Sequence, residues 1–415
     1  MKKTGKYSFG TGDRFGRQGN AQLSAIMEAE KLGVEITPVW NKSHREHTIV
    51  GTSPADTREE ADRAVQALGW QRPYFVDADH INLSNVDLFL PWSDFFTMDV
   101  ANAIGMPVSP EETEAFIADN ATPSGTITLP GMDRPVPADE PYLRRFAGQY
   151  LHAINEAERI FRHIAANKDP ETFVVEVSMD EVEEPQSPAD LYFILKILAE
   201  KEIPVQTIAP RFSGRFNKGV DYVGDLKKFE QEFEQDLIVL SYARAHFGLP
   251  DNLKLSIHSG SDKFSIYPVM GRLIRKYDQG IHVKTAGTTW LEELIGLALA
   301  GPEALAMVKE FYAAGLHRIE ELTAPYAEVI DIDPAALPGA VELSRWSGEK
   351  IAAALRHIPG NRDFNPHLRQ LMHVAYKLAA EKGEEYLDLV EKNEEIIGRQ
   401  VRENLLERHI KRLFL

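Results

Sequence analysis

The stretch YFVDADHINL, residues 74–83, begins as a buried β-strand and ends in a cluster of polar side chains. Its first three residues are apolar, and Asp77, Asp79 and His80 follow within a few positions. Packing alone does not require two carboxylates and an imidazole at the end of a strand. The stretch therefore predicts a strand of an α/β fold whose carboxyl end carries a functional site.

The same alternation of strand and helix recurs along the first three quarters of the chain. Short apolar strands end in glycine or polar residues, and stretches with apolar residues three and four positions apart follow most of them. Eight such units favour a closed (β/α)8 TIM-type barrel over the alternative, a doubly wound sheet with an appended domain. The predicted strands are 6–12, 34–40, 73–78, 94–100, 172–178, 204–210, 253–259 and 280–286, and the predicted helices between them are 20–32, 57–68, 111–119, 188–201, 225–247 and 267–277.

The domain organisation follows from where the strands stop. Residues 1–301 are predicted to form the catalytic barrel. An insertion at about 120–140, rich in proline and glycine, is expected to be a loop or small hairpin that covers one end of the barrel. Residues 302–415 have helical periodicity throughout and predict a helical C-terminal extension packed on the barrel.

The composition limits the classes of partner. The formal net charge of −17 argues against a nucleic-acid or anionic-membrane surface, because like charges repel. The chain has no cysteine, which excludes disulfides, a thiol nucleophile and Cys-ligated metals. The N-terminus has no apolar signal region, and no run approaches about 18 apolar residues. We therefore expect a cytoplasmic protein, with a homo-oligomer possible.

Three histidines lie in or just after predicted strands. His80 follows the third strand, His258 lies in the seventh and His282 in the eighth. Three imidazoles, or two with a carboxylate, form a divalent-metal site with open positions for substrate. Such a site suits Zn, Ni, Co or Mn, and the sequence does not choose among them. The alternative is that each histidine is a hydrogen-bonded residue of the core.

Two carboxylates near these histidines are candidates for acid–base catalysis. Asp79 directly precedes His80, and Glu176 lies in the otherwise apolar strand VVEVS, on the opposite face from its valine neighbours. Burial is expected to raise the pKa of Glu176, which suits a proton donor, whereas Asp79 beside a metal would stay ionised, which suits a base. A salt bridge to a barrel lysine or arginine is the alternative for Glu176.

Charged residues on the strand-end loops are candidates for contacts with substrate. The turn GTGDRFG (10–16) fits a nucleotide-binding fingerprint poorly, because its third glycine is one residue late. Basic residues in PRFSGRFNKG (210–219) and GSDKFS (260–265) indicate a small anionic or polyhydroxylated substrate, although surface salt bridges are the favoured interpretation for Arg215 and Lys218. The predicted substrate-binding residues are Asp13, Arg14, Arg211, Asp262, Lys263 and Lys284.

Six stretches spread over almost the whole chain resemble the tagaturonate epimerase family of hexuronate catabolism, whose members include proteins that interconvert fructose and tagatose. They are YSFGTGDRFG, VDADHINL, VVEVSMDE, LSIHSGSDKF, HVKTAGTTWLE and HIPGNRDFNPHLRQLMHVAYKLA. The resemblance implies a metal-dependent barrel enzyme that interconverts D-tagaturonate and D-fructuronate. It also implies that Asp79 is the proton acceptor, that Glu176 is the proton donor, and that the metal ligands are His80, His258 and His282.

The chemistry of such an epimerase can be argued separately. The two ketouronates differ at a carbinol whose C–H bond is not activated by the ketone. Retro-aldol cleavage, rotation of the aldehyde and re-addition would invert it, with a divalent metal as Lewis acid, one base and one acid. A bound nicotinamide is the other route, but its fingerprint is missing. A metal-dependent aldolase acting on a ketose acid would use the same residues, and a metallohydrolase or a non-catalytic sugar-binding barrel is more remote.

Overall fold

Eight parallel strands close into a barrel in chain order, with the last strand beside the first. The computed structural model describes residues 2–180, 182–258, 262–285, 287–358 and 360–415. Ser259 and Ala286, which end the predicted seventh and eighth strands, lie outside them. The predicted (β/α)8 fold is confirmed. The strands are β1 (Tyr7–Gly12), β2 (Ile36–Ser43), β3 (Phe75–Ile81), β4 (Phe95–Asp99), β5 (Val174–Ser178), β6 (Thr207–Ala209), β7 (Lys254–His258) and β8 (Ile281–Lys284).

Helices surround the barrel, and local sequence explains where several begin. At the start of the helix Pro188–Glu200, the Ser187 side chain accepts a hydrogen bond from the backbone N–H of Asp190. The Asp190 carboxylate in turn accepts one from the backbone N–H of Ser187. The helices are α1 (Gly19–Lys31), α2 (His44–Val50), α3 (Pro54–Leu68), α4 (Val86–Phe89), α5 (Pro110–Asn120), α6 (Glu140–Phe146), α7 (His152–Asn167), α8 (Pro188–Glu200), α9 (Leu226–His246), α10 (Tyr267–Lys276), α11 (Thr288–Ala300), α12 (Pro302–His317), α13 (Ile319–Thr323), α14 (Ala340–Ser344), α15 (Gly348–Leu355), α16 (Pro366–Val374), α17 (Tyr376–Lys382), α18 (Glu384–Lys392), α19 (Glu394–Glu403) and α20 (Lys411–Phe414).

The insertion at 120–140 contains a two-stranded antiparallel hairpin, Thr126–Ile127 with Val136–Pro137. Near its turn, the backbone N–H of Asp133 donates to the Gln235 side chain of α9 at 3.1 Å. The hairpin also contacts α8. It therefore packs on the outer helices, on the wall of the barrel, instead of covering the end that carries the site described below.

The residues described after Gly301 are helical or irregular, and they pack on the helices of the barrel. Helix α19 contacts α1 and α11, and α20 contacts α10. Helix α16 is tied to the barrel where Trp290 Nε1 donates to the backbone carbonyl of Met372 at 2.7 Å. Among the described residues, no helix combines the length and the apolar character that crossing a membrane would need.

The interior of the barrel has a floor, where the amino ends of the strands lie, and a mouth, where their carboxyl ends lie. Alternate residues of each strand point inward, so each strand adds one side chain to each layer. The floor contains a small hydrophobic cluster of Val39, Phe75, Phe95 and Val174. Two residues further along the same strands, the buried side chains are Asn41, Asp77, Thr97 and Glu176.

Candidate active site

Strand β3 ends in a bulge that brings two consecutive side chains, Asp79 and His80, to the mouth. Its pairing with β4 is regular up to Ala78, and the register shifts before Ile81. Within the bulge His80 has a φ of 53°, in the left-handed region that residues other than glycine rarely adopt. Neighbouring residues of a regular strand face opposite sides, so the bulge is what lets Asp79 and His80 share one site.

His80, His258 and Asp180 form one cluster at the mouth, in which one candidate ligand atom from each residue lies within 4.8 Å of the other two. The two imidazole rings have centroids 5.2 Å apart, and His258 Nδ1 lies 3.1 Å from Asp180 Oδ1. Asp99 Oδ2 lies 3.4 Å from His80 Nδ1. Two imidazoles and a carboxylate are a donor set that divalent transition metals use.

The surroundings of the two imidazoles favour positive charge. Burial by itself lowers the pKa of His80, but Asp79 and other nearby carboxylates raise it well above its usual value. Burial likewise opposes the charge of His258, and Asp180 outweighs it and raises the pKa to about 9. The Nδ1 atoms of both rings are buried and make no hydrogen bond within the described part of the chain. Each faces a carboxylate oxygen without a hydrogen bond to it, so the cluster fits a divalent metal in place of the protons.

His282 lies outside this cluster, one layer closer to the floor. Its Nδ1 is 2.8 Å from Ser8 Oγ, and its ring centroid is 5.3 Å from that of Phe95. Burial lowers the pKa of His282 to about 3, so the ring is neutral. The geometry therefore places His282 apart from the other two predicted ligands and brings Asp180 beside them, so the set of three histidines stays a prediction and Asp180 is a further candidate ligand.

Lys284 lies at the centre of a buried ion network. Its Nζ is 2.7 Å from Asp77 Oδ2, 2.9 Å from Asp79 Oδ1 and 3.0 Å from Glu176 Oε1. Gly10 on β1 makes room for it, since a Cβ at that position would lie 3.0 Å from Lys284 Cγ. Burial opposes the charge of Lys284, but Asp77 and the other two carboxylates raise its pKa well above the usual range. Lys284 is therefore an ammonium that bridges the two predicted catalytic carboxylates.

Glu176 is fully buried inside the barrel, on the face that the alternation of its strand predicted. Its Oε1 lies 2.7 Å from His258 Nε2. Burial favours a raised pKa, but Lys284 and His258 lower the pKa of Glu176 well below its usual range. The prediction of a raised pKa is therefore wrong, because two cations face the carboxylate. A carboxylate that accepts a hydrogen bond from the second ring nitrogen of a metal-ligating histidine commonly orients that ligand.

The pKa values of the two aspartates of β3 are shifted in opposite directions. Burial favours a raised pKa for Asp79, but Lys284 and His80 lower it below its usual value. In the layer beneath, burial raises the pKa of Asp77 to about 7, and this carboxyl accepts a hydrogen bond from Thr97 Oγ1 at 2.9 Å. Asp79 is thus ionised at neutral pH, as a general base must be.

Two adjoining cavities open at the mouth. The smaller, of about 270 Å³, is lined by the His80/His258/Asp180 cluster together with Asp79 and Lys284. The larger, of about 620 Å³, extends toward the loop after β6. The shared lining residues, which include His258 and Asp180 of the cluster, show that the two form one cleft. They are Arg45, Asp180, Lys218, His258 and Tyr326.

Three of the predicted substrate-binding residues line this cleft. Lys284 and Arg14 line the smaller cavity, and Arg211 lines the larger one. Arg14 is already engaged, because its guanidinium pairs with Glu46 and lies 3.8 Å from the centre of the Tyr376 ring. Of the three, Lys284 is the residue in contact with both predicted catalytic carboxylates.

The other three predicted substrate-binding residues make structural contacts. The Asp13 carboxylate accepts hydrogen bonds from the backbone N–H groups of residues 15–18, at 2.6 to 3.0 Å. Asp262 pairs with Arg369 at 2.6 Å, and Lys263 Nζ donates to two backbone carbonyls at 2.8 and 2.7 Å. None of the three lines either cavity. The geometry therefore does not support their predicted contacts with substrate.

Arg215 and Lys218, on the same loop, have different surroundings. Arg215 Nη1 lies 3.1 Å from Asp331 Oδ2, the surface ion pair expected from the sequence. Lys218 lines both cavities, and within the described residues its side chain pairs with no carboxylate. The interpretation as a surface salt bridge is therefore wrong for Lys218.

The C-terminal region completes the mouth, which the sequence did not predict. Tyr326 and His373 line the smaller cavity, and the Tyr326 hydroxyl lies 2.9 Å from that of Tyr376. Arg45 lies 5.1 Å from the centre of the Tyr326 ring. The nearest indication in the sequence is that His373 lies in one of the stretches that carry the family resemblance.

Comparisons with known proteins agree with one another. The family model described as tagaturonate epimerase (UxaE) matches residues 1–124 and 125–413. A tagaturonate/fructuronate epimerase of Thermotoga maritima is 29% identical over 420 residues, which cover 97% of this chain and 80% of the relative. A glycerol-complexed crystal structure of the fructuronate-tagaturonate epimerase UxaE from Cohnella laeviribosi superposes with a TM-score of 0.82 at 25% identity, covering 99% of this chain and 81% of that chain. A probable tagatose 6 phosphate kinase from Sinorhizobium meliloti has a TM-score of 0.51 at 10% identity, which indicates a likeness of fold alone.

Proposed function

The chain belongs to the tagaturonate epimerase family, and from this premise we propose that it interconverts D-tagaturonate and D-fructuronate with the aid of a divalent metal. One observation supports the proposal above the others. The His80/His258/Asp180 cluster shares a cavity with an ionised carboxylate, Asp79, and a buried ammonium, Lys284. A metal site with an acid–base pair beside it is what retro-aldol epimerisation requires.

In this proposal His80, His258 and Asp180 hold the metal. A bound divalent ion supplies Lewis-acid stabilisation of the negative charge that develops at the substrate ketone. Imidazole and carboxylate ligands suit Zn, Ni, Co or Mn. A Schiff base on Lys284 is the other way to stabilise that charge, and it fits poorly because three carboxylates keep the amine protonated.

Asp79 is the proposed base. Its carboxylate lines the smaller cavity and is ionised, so it can accept the proton of the carbinol hydroxyl. As the proton leaves, the adjacent C–C bond opens and gives an aldehyde and an enediolate. The aldehyde turns, the bond forms again on its other face, and the oxygen regains a proton.

Lys284 is the proposed proton donor, since its ammonium lines the same cavity and lies 2.9 Å from Asp79. The resemblance gives this role to Glu176, which has no place in the lining of either cavity. We propose that Glu176 is a positioning residue, which orients His258 and holds Lys284 through its Oε1.

An NMR assay of the purified protein tests the proposed function. Tagaturonate would be incubated with the metal-free protein and with protein reloaded with Zn, Ni, Co or Mn in turn, and fructose would be tested in parallel. We expect fructuronate to form only with a metal present. Three-carbon products without fructuronate would identify an aldolase instead, and hydrolysis of an ester or lactone without epimerisation would identify a metallohydrolase.

A further inference from the structure

Two cations, Arg45 and Lys218, lie at the junction of the two cavities. Arg45 is in the first turn of α2, directly after β2, and Lys218 is in the loop after β6. Both line the smaller and the larger cavity. Arg45 is exposed and Lys218 half-buried, whereas Asp79 and Lys284 are buried. The two cations therefore form a rim on the open side of Asp79 and Lys284, beside the half-buried His80/His258/Asp180 cluster.

Neither cation has an acidic partner within the described residues. The chain has 63 acidic and 46 basic residues, so a cation in a cleft would ordinarily find a carboxylate. Two neighbouring cations have such a partner: Arg14 pairs with Glu46, and Arg215 pairs with Asp331. Arg45 and Lys218 line the cavity without a carboxylate partner among the described residues, which leaves their charge for an anion that enters it.

The C-terminal region holds the two cations in place. The Arg45 guanidinium lies 5.1 Å from the centre of the Tyr326 ring, and the backbone N–H of Lys218 donates to the carbonyl of Val329 at 2.8 Å. His373 is buried but lines the smaller cavity: burial lowers its pKa, and Arg14 and Lys218 hold the pKa well below its usual value. Arg45 and Lys218 thus bring positive charge to a cleft whose cluster is rich in carboxylates.

The proposed chemistry requires an anion-binding rim. Counted from the CH₂OH end, retro-aldol cleavage breaks the C3–C4 bond, and its electron pair stays with the three-carbon enediolate. The other fragment carries C4 as an aldehyde, C5 as a carbinol and C6 as a carboxylate. The C4 hydroxyl proton goes to Asp79, Lys284 donates a proton to the oxygen after re-addition, and the proton on Asp79 then passes to Lys284 across their 2.9 Å contact, so no proton, oxidant or reductant is consumed. An epimerase must keep this aldehyde acid bound while C4 turns. The C6 carboxylate takes no part in the reaction, so the protein can bind it throughout.

We infer that Arg45 and Lys218 bind the C6 carboxylate of the substrate and retain the aldehyde acid between cleavage and re-addition. This inference rests on the proposed function, because it concerns the same cleft and the same substrate. Arginine can bind a carboxylate bidentately, and lysine adds a point charge that tolerates movement of the fragment. The ketone end then lies at the cluster and the carboxylate end at the rim.

The test uses the metal-loaded protein and the variants Arg45→Gln, Lys218→Met and the double substitution. Arg215→Gln is the matched control, because Arg215 lies on the same loop as Lys218 but lines neither cavity. We expect each single variant to lower kcat/KM for tagaturonate by about 10- to 100-fold, mainly through KM, because each loses a charge-assisted contact. Metal content should be unchanged, and the double variant should release three-carbon acid into solution. The control should behave as the wild type.

Three outcomes would overturn the inference: a wild-type KM in both single variants, equal losses on tagaturonate and on fructose, or an equal loss in the Arg215 control. None of them affects the proposed function, which depends on epimerisation by the wild-type protein. Titration calorimetry of tagaturonate binding gives the same comparison of variants without turnover. It therefore decides the inference even if the wild type proves to catalyse another reaction.

Discussion

Two buried lysines inside the barrel, Lys284 at its mouth and Lys254 at its floor, have opposite surroundings. Lys284 at the mouth lies within 3.0 Å of three carboxylates. Lys254 at the floor donates to Thr4 Oγ1 at 2.9 Å and to the backbone carbonyl of Gly5. Burial opposes the charge of both, but the carboxylates raise the pKa of Lys284 well above normal, whereas the pKa of Lys254 falls to about 7. Burial alone does not decide the charge of a lysine, because its neighbours do.

The two interior histidines repeat this contrast. His258 at the mouth has a pKa raised to about 9, because Asp180 outweighs the cost of burial. His282, one layer deeper, has a pKa lowered to about 3 by burial. The mouth is therefore arranged to hold positive charge, and the floor is arranged to exclude it. We expect substitutions at the mouth to remove activity and those at the floor to change stability.

Substitutions that remove the proposed metal should have the largest effect on activity. If they left activity unchanged, the contrast between the mouth and the floor would be wrong. We expect His258→Ala and Asp180→Asn to lose the metal and to lower turnover by more than about 100-fold, beyond the usual effect of outer-shell partners. His282→Asn should keep the metal, because His282 lies one layer below the cluster and its ring is hydrogen-bonded to Ser8. Metal content would be measured by mass spectrometry after dialysis. Metal loss in His282→Asn with retention in Asp180→Asn would support the set of three histidines instead.

Asp79→Asn and Lys284→Met should each lower kcat by about 100- to 10,000-fold with the metal retained, the usual range for a general base or acid. The acid limb of the pH–rate profile should disappear in the Asp79 variant, because a base loses activity when it is protonated. Lys254→Met is the matched control at the floor and should keep the wild-type kcat. A similar loss of kcat in both lysine variants would mean that the effect on Lys284 is structural.

Glu176→Gln distinguishes the two roles considered for this residue. As a positioning residue that orients His258, it should lose about 10- to 100-fold in metal affinity or activity. As the proton donor implied by the family resemblance, it should keep its metal affinity, lose at least about 100-fold in turnover and lose the alkaline limb of the pH–rate profile. Metal titration and a pH–rate profile of the same preparation separate these outcomes.

The smallest expected effect is that of Lys254, at the floor, on the free energy of unfolding. The pKa of Lys254 is about 7 in the folded protein. It is about 10.4 in an unfolded chain, which therefore binds more protons between these values. Lys254 should then make the free energy of unfolding rise with pH across this window, by up to about 1.4 kcal/mol per pH unit. The slope of that free energy against pH should be smaller by this contribution in Lys254→Met than in the wild type, as urea unfolding near pH 7.5 and pH 9.5 would reveal. An unchanged slope in Lys254→Met would show that this lysine is charged when folded.

Much of the fold could be predicted because its determinants are local. Each of the eight strands lies within a few residues of its predicted bounds, since apolar runs and strand-end polar residues are properties of short segments. The burial of Glu176 followed from the alternation of a single strand. The family followed from motifs spread over the chain, and it is confirmed.

The order of the residues was enough to predict the barrel, the family and the presence of carboxylates and histidines at the strand ends. Which of these side chains meet could be read only from the folded chain, because that depends on the layer of each side chain and on contacts between distant segments. A bulge brings His80 to the mouth. His282 lies one layer deeper, and Asp180 is the third residue of the cluster instead. The pKa of Glu176 depends on Lys284, which is more than a hundred residues away in the chain. Electrostatic energy depends on distance in space, and a linear sequence does not contain that distance.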